Sequence, residues 1–198
     1  MKTLSEFLDF ARDTSSHQPI EMVDLRFADL SGAWHHVTIP LSGFDEDVMD
    51  KGIPFDGSSL GFKSVSAGDM ALRPDLSTAL VDPFCETGTI GVICNVIEAD
   101  TGERFVNDPR RVAERAEAML LEQGIADGSM WGPEFEFYVF DKIAYRTDIN
   151  ISFYQIDSEE ADWNTGVEDG QNLGGKIPHH AGYHAMPPPD SLYGVRND

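Results

Sequence analysis

Cysteine is nearly absent from this chain, with Cys85 and Cys94 as its whole complement. Two thiols without Cys-x-x-Cys or zinc-ligand spacing exclude a disulfide scaffold and a zinc ribbon, and they fit a reducing compartment. Basic residues are also scarce: 14 Lys and Arg stand against 35 Asp and Glu, for a net charge of -21. A surface that acidic repels phosphate backbones and anionic lipid, so neither nucleic acid nor membrane is expected as a partner. No apolar run approaches the ~20 residues of a membrane span. The opening Met1-Lys2-Thr3-Leu4-Ser5-Glu6 has no apolar core of a secretion signal, and a cytoplasmic location is the expectation. Histidines are few, and the pairs His35-His36 and His179-His180 are sequence neighbours. Neighbours point apart on a strand, so neither pair is a ready-made metal site.

Apolar and aromatic residues, by contrast, are ample. The chain is 41% hydrophobic with 12 Phe and 3 Trp, enough for a packed core of one large domain or two small ones. Thr3 to Glu6 reads as a capping box opening a helix whose apolar stripe is Leu4, Phe7, Leu8 and Ala11, ending by Ser15 or Ser16. From Ile20 to Leu30 apolar residues alternate as in a strand. Ser31-Gly32 supplies a turn, and Trp34 to Ile39 returns as the second arm of a hairpin. Asp45 to Asp50 reads as a short helix closed by Gly52, and further strands are expected near Asp69–Leu72, Ala79–Val81 and Ile90–Ile97. Asn107 or Asp108 before Pro109 caps a helix with a buried stripe of Val112, Ala113, Ala116, Met119 and Leu120, stopped by Gly124. Residues 1–102 thus form a first α+β unit, and residues 103–198 the start of a second. Residues 141–198 read as loop-rich, and the second unit reads as cut short, with one hydrophobic face uncovered.

Two acidic motifs bear on function. In Gly132-Pro133-Glu134-Phe135-Glu136-Phe137-Tyr138-Val139-Phe140 a strand would project Glu134 and Glu136 from one face and aromatic side chains from the other. Two like charges side by side need either a wet face or bound divalent cations with oxygen ligands. In Phe55-Asp56-Gly57-Ser58-Ser59 the aspartate either caps its own turn or presents a carboxylate to a cationic ligand.

Taken in order, these motifs resemble glutamine synthetase of the bacterial class I type. The matching segments are Phe55 to Ser59, Gly68-Asp69-Met70 with Pro74 to Thr78, Asp108-Pro109-Arg110, Gly132 to Asp141, and Gly182-Tyr183 to Pro188. They run across nearly the whole chain and correspond to the N-terminal portion of such an enzyme. The resemblance implies a small β-grasp domain followed by the truncated start of a catalytic α/β domain. It implies a glutamate–ammonia ligase working through γ-glutamyl phosphate, with glutamate, ammonium and ATP as substrates and two Mg²⁺ or Mn²⁺ ions as cofactors. By the same resemblance Glu134 and Glu136 are metal ligands, one for each ion, and Asp56 binds ammonium and takes its proton. Ser59 lies on the same substrate-binding loop, and Phe62 stands near a position that is commonly aromatic. The resemblance also implies a homo-oligomer of stacked rings whose active site lies between neighbouring subunits.

The segment His179 to His184 departs from the Lys-Gly-Gly-Tyr-Phe form common in that family, and the remaining metal-ligand and ATP-clamping residues have no counterpart up to Asp198. The chain alone is therefore expected to be inactive. Two alternatives accompany this reading: a γ-glutamyl-polyamine ligase of the same fold, and a non-catalytic truncated subunit.

Overall fold

The computed structural model describes residues 1–158, 161, 163 and 181–197, and the chain divides into two compact units, Met1–Trp131 and Gly132–Asp198. The first unit opens with α1 (Leu4–Arg12). Thr3 Oγ1 accepts the Glu6 N–H at 3.2 Å, while the Glu6 carboxylate accepts the Lys2 N–H at 2.7 Å. This capping exchange satisfies donors that the first helical turn leaves open. Phe7 and Ala11 sink from α1 into the sheet below.

That sheet has six strands: β1 (Ile20–Ala28), β2 (Trp34–Pro40), β3 (Ile53–Asp56), β4 (Asp69–Pro74), β5 (Leu80–Val81) and β6 (Gly88–Glu98). Their order is β2-β1-β6-β4-β3, with β5 paired to β6. β1 runs parallel to β6 and every other pairing is antiparallel, so the sheet is mixed. The alternation in β1 sends Val23, Leu25 and Phe27 to the helix side, where they meet Met70 and Leu72 of β4 and Ile90, Val92, Cys94 and Val96 of β6. The short helix α2 (Glu46–Lys51), capped by Asp45, ends at Gly52, whose φ of 75° lies in the left-handed region.

Two findings differ from the sequence reading of this unit. β3 falls where no strand was expected, and its last two residues lead into the expected Asp-Gly-Ser turn: it is an edge strand, where Pro54 costs the sheet little. The helix α3 (Pro109–Glu122) forms as expected, with Asp108 accepting the Arg110 N–H at 3.2 Å, but it buries no side chain. Val112 and Met119 are half exposed, so the expected stripe faces outward. Amphipathic spacing sets which residues share a face, and burial requires a second surface to cover it.

The second unit contains a hairpin, β7 (Lys142–Asp148) with β8 (Ile151–Asp157), and a short helix, α4 (Tyr193–Asn197). The hairpin lies where a loop-rich tract was expected. Its alternation of Ile143, Tyr145 and Thr147 against Ile156, Tyr154 and Ser152 places like residues on one face. The strand expected through Glu134 to Phe140 is not formed. Those residues are irregular and exposed, because an extended segment becomes a strand only with a backbone partner. His179 and His180 lie outside the described residues. Among the described residues no helix is long and apolar enough to cross a membrane.

Candidate functional site

Asp56 closes β3, where its register partner across the ladder is Asp69 of β4. Gly57–Leu60 follows as one turn of 3-10 helix with Asp56 as its N-cap. The Ser58 N–H and Ser58 Oγ–H both donate to Asp56 Oδ1, at 2.9 and 2.7 Å, and Ser59 Oγ–H donates to Oδ2 at 2.8 Å. These bonds, those from Ser58 first, favour the ionised carboxylate and hold its pKa below the ordinary aspartate value. Asp56 is nonetheless exposed. The loop therefore presents a fixed negative charge to solvent, suited to a small cation and poorly suited to an anion.

The loop lies close to the sheet because residue 57 has no side chain. A Cβ there would come within 2.3 Å of Met70 Sδ. The Gly57 N–H donates to Gly68 O at 2.8 Å, joining the two ends of the connection between β3 and β4. Further along, Phe62 is buried and packs edge-on to Phe55 and Phe105, with ring centroids 6.0 and 5.5 Å away.

Glu134 and Glu136 belong to the second unit, in its exposed irregular segment. Period-2 spacing persists locally, since Tyr138 and Phe140 stack with an interplanar angle of 4°. The structure brings Asp56 and Ser59 together, and it places the two glutamates on one short exposed run. Among the described residues, no three His, Cys, Asp or Glu side chains converge as metal ligands. Two carboxylates are hard oxygen donors, the class that suits Mg²⁺ and Mn²⁺. Neither cysteine competes for such a role. Both are free, and burial pushes the Cys94 thiol up to about 12.

A second polar cluster, on the opposite face of the sheet from α1, escaped the sequence reading. Asp24 Oδ1 accepts from Thr38 Oγ1 at 2.7 Å and bonds His36 Nδ1 at 2.6 Å, while Asp24 Oδ2 accepts from Arg26 Nε at 2.7 Å. Arg26 also pairs with Asp82. Burial works against the Asp24 charge, but the bonds from Arg26, Thr38 and His36 outweigh it and depress its pKa. The cluster borders a cavity of about 560 Å³ rimmed by Trp34, Leu80 and Ile93. Its charges largely satisfy one another, which makes it a structural network. Alternation in β1 and β2 signalled the face, but nothing in sequence signalled the pairing.

Comparison with known proteins agrees in both halves of the chain. The family model described as glutamine synthetase, beta-Grasp domain, matches residues 19–99, and that described as glutamine synthetase, catalytic domain, matches residues 106–198. A protein named glutamine synthetase from Aquifex aeolicus is 41% identical over 187 residues, covering 94% of this chain and 39% of that protein. Another of that name from Streptomyces coelicolor is 46% identical over 181 residues, covering 90% and 38%. The chain thus spans about two fifths of the length of these relatives. A cryo-EM structure of Plasmodium falciparum glutamine synthetase superposes with a TM-score of 0.71 at 17% identity, across 100% of this chain and 39% of that one. At that identity the likeness speaks for the fold.

Proposed function

The chain belongs to the glutamine synthetase family, and from that premise we propose that it is the N-terminal portion of a glutamate–ammonia ligase. In the proposed reaction the γ-carboxylate of glutamate attacks the γ-phosphorus of ATP. ADP leaves and γ-glutamyl phosphate remains. Ammonia then attacks the acyl carbon, and inorganic phosphate departs as glutamine forms. We keep residue 102 as the end of the β-grasp domain and residues 103–198 as the start of the catalytic domain.

The observation that carries this reading is the exposed Asp56 carboxylate, kept ionised by Ser58 and Ser59 where β3 meets the loop. Ammonium is a small cation with four donors, and it must lose one proton before its lone pair can attack. A fixed carboxylate concentrates the cation and receives that proton as the carbon–nitrogen bond forms. Its depressed pKa makes cation binding the larger part of that role, with the Ser59 hydroxyl oxygen a second acceptor for the same ligand. Glu134 and Glu136 would hold one divalent ion each. When bound, Mg²⁺ or Mn²⁺ neutralises charge on the transferring phosphoryl group. The two glutamates would hold those ions on a segment whose exposure leaves room for further ligands. We further propose a cytoplasmic homo-oligomer of stacked rings, with Asp56 serving the catalytic sheet of the neighbouring subunit.

The test is product formation by the full-length enzyme supplied with glutamate, ATP, Mg²⁺ and either ammonium or putrescine. Glutamine formed from ammonium, with little coupling to putrescine, is expected. Preferential coupling to the polyamine would transfer the chain to the amine-acceptor ligases.

A further inference from the structure

We propose that Lys63 and Glu98 form a positioning clasp that fixes the Asp56 loop against the end of β6. Its functional meaning rests on the reading of Asp56 as the ammonium-binding carboxylate. The need for such a clasp follows from how Asp56 is held. Its backbone is held in β3, but its side-chain partners, Ser58 and Ser59, sit on the loop, so the carboxylate is only as well oriented as residues 57–68 are fixed. The near arm of that loop is pinned where Gly57 meets Met70 and Gly68. The far arm is seated by the Phe62 ring, whose contacts with Phe55 and Phe105 are apolar. Apolar contacts fix depth and leave a ring free to slide, so they do not set register.

Lys63 supplies the directional tie. Its ammonium pairs with the Glu98 carboxylate and lies 5.9 Å from the centroid of the Phe105 ring. Both side chains are about three-quarters buried, at 26% and 23% exposure. Partial removal from water strengthens such a pair relative to one at the open surface. Glu98 is itself rigidly mounted. Its N–H donates to Glu103 O at 2.9 Å, and its carbonyl accepts the Gly102 N–H at 2.8 Å. The contrast is Lys51–Asp47 on α2, where both side chains are 75% exposed and the pair is an ordinary surface contact.

Amide hydrogen exchange and Asp56 carboxyl-carbon NMR on this 198-residue chain test the clasp. The amides of Gly57, Gly61 and Phe62 report on it, because each is bonded within the loop or to its far end. Lys63→Met keeps the aliphatic stem and removes the charge, and Glu98→Gln removes the partner charge. Each is expected to speed exchange at those amides by roughly three- to tenfold, with Val23 and Val92 in the sheet unchanged. Each should also move the Asp56 titration midpoint upward as the Ser58 and Ser59 bonds are made less often. Exchanging the charges, Lys63→Glu with Glu98→Lys, should restore both readouts, and Lys51→Met should alter neither. Unchanged loop exchange in both single variants overturns the clasp. So does faster exchange with no movement at the Asp56 carboxyl carbon, which marks the pair as merely structural. If both readouts move but the same variants of the full-length enzyme keep their KM for ammonium, the ammonium role of Asp56 fails and the clasp stands.

Discussion

At the residue scale the chemistry of this chain rests on carboxylates whose charge is set by close donors. Asp56 is the carboxylate with the proposed functional role, and Ser58→Ala isolates the cause of its charge. Removing the hydroxyl deletes the leading donor, so the Asp56 pKa should rise toward its ordinary value, read as an upward shift in the carboxyl-carbon titration. Asp24 is the structural case. Its folded pKa lies below the ordinary 3.8, so its network stabilises the fold fully above about pH 4 and is lost as pH falls through the depressed value. Asp75, held down by Ser77 and Arg110 against its burial, adds to the same acid-side loss. Urea unfolding between pH 6 and pH 3 should therefore show stability falling on the acid side. Arg26→Met should cost roughly 1–3 kcal/mol at pH 7, because it leaves the buried Asp24 carboxylate without its guanidinium partner. Equal stability of variant and parent at pH 7 would count against this. The bonds from Arg26 to Asp82 and from His36 to Asp24 were not legible in sequence, since their partners lie far apart in the chain, whereas the Asp56-Gly57-Ser58-Ser59 turn was legible because its partners are neighbours.

At the element scale, elements set by neighbouring residues are legible in the sequence and those set by distant pairing are not. The capping box of α1, the hairpin of β1 and β2, and the Asp108-Pro109 start of α3 each depend on adjacent residues, and each formed. β3 has no local signal because its four residues contain Pro54 and run straight into the Asp-Gly-Ser turn, and its strand character comes from pairing with β4. The β7–β8 hairpin was missed because its two central residues, Ile149 and Asn150, lack the Asn-Gly or Asp-Gly signature. The reverse error occurred at Glu134 to Phe140, where alternation suggested a strand and no ladder formed. Two substitutions probe the elements that carry the site. Gly57→Ala should displace the loop from Met70 and cost about 1–3 kcal/mol, measured by thermal or urea unfolding. Asp108→Ala removes a side chain that is 2% exposed and that caps α3, accepts the Val96 N–H and pairs with Arg104. A loss of about 2–4 kcal/mol is expected, and a loss under about 0.5 kcal/mol would show that the cap is replaced by water.

At the scale of the whole molecule, the two units differ in how their apolar surface is covered. The first encloses a continuous core from α1 through β6, while Phe135, Tyr138, Tyr145 and Tyr154 of the second are largely exposed. Segments with few packed contacts open first, so brief proteolysis should cut within residues 132–140 while β1 to β6 stay intact. Early cleavage inside β1 or β6 would contradict that order. The proposed function assigns Asp56 and Glu134 to one reaction, each supplied by a different subunit. Mixing two inactive full-length variants tests this most directly. Asp56→Asn and Glu134→Gln subunits should each fail in ammonium-dependent glutamine synthesis alone, and co-assembled oligomers should regain a measurable fraction of it. Full activity of Asp56→Asn alone, or no recovery in oligomers shown to contain both variants, would contradict it.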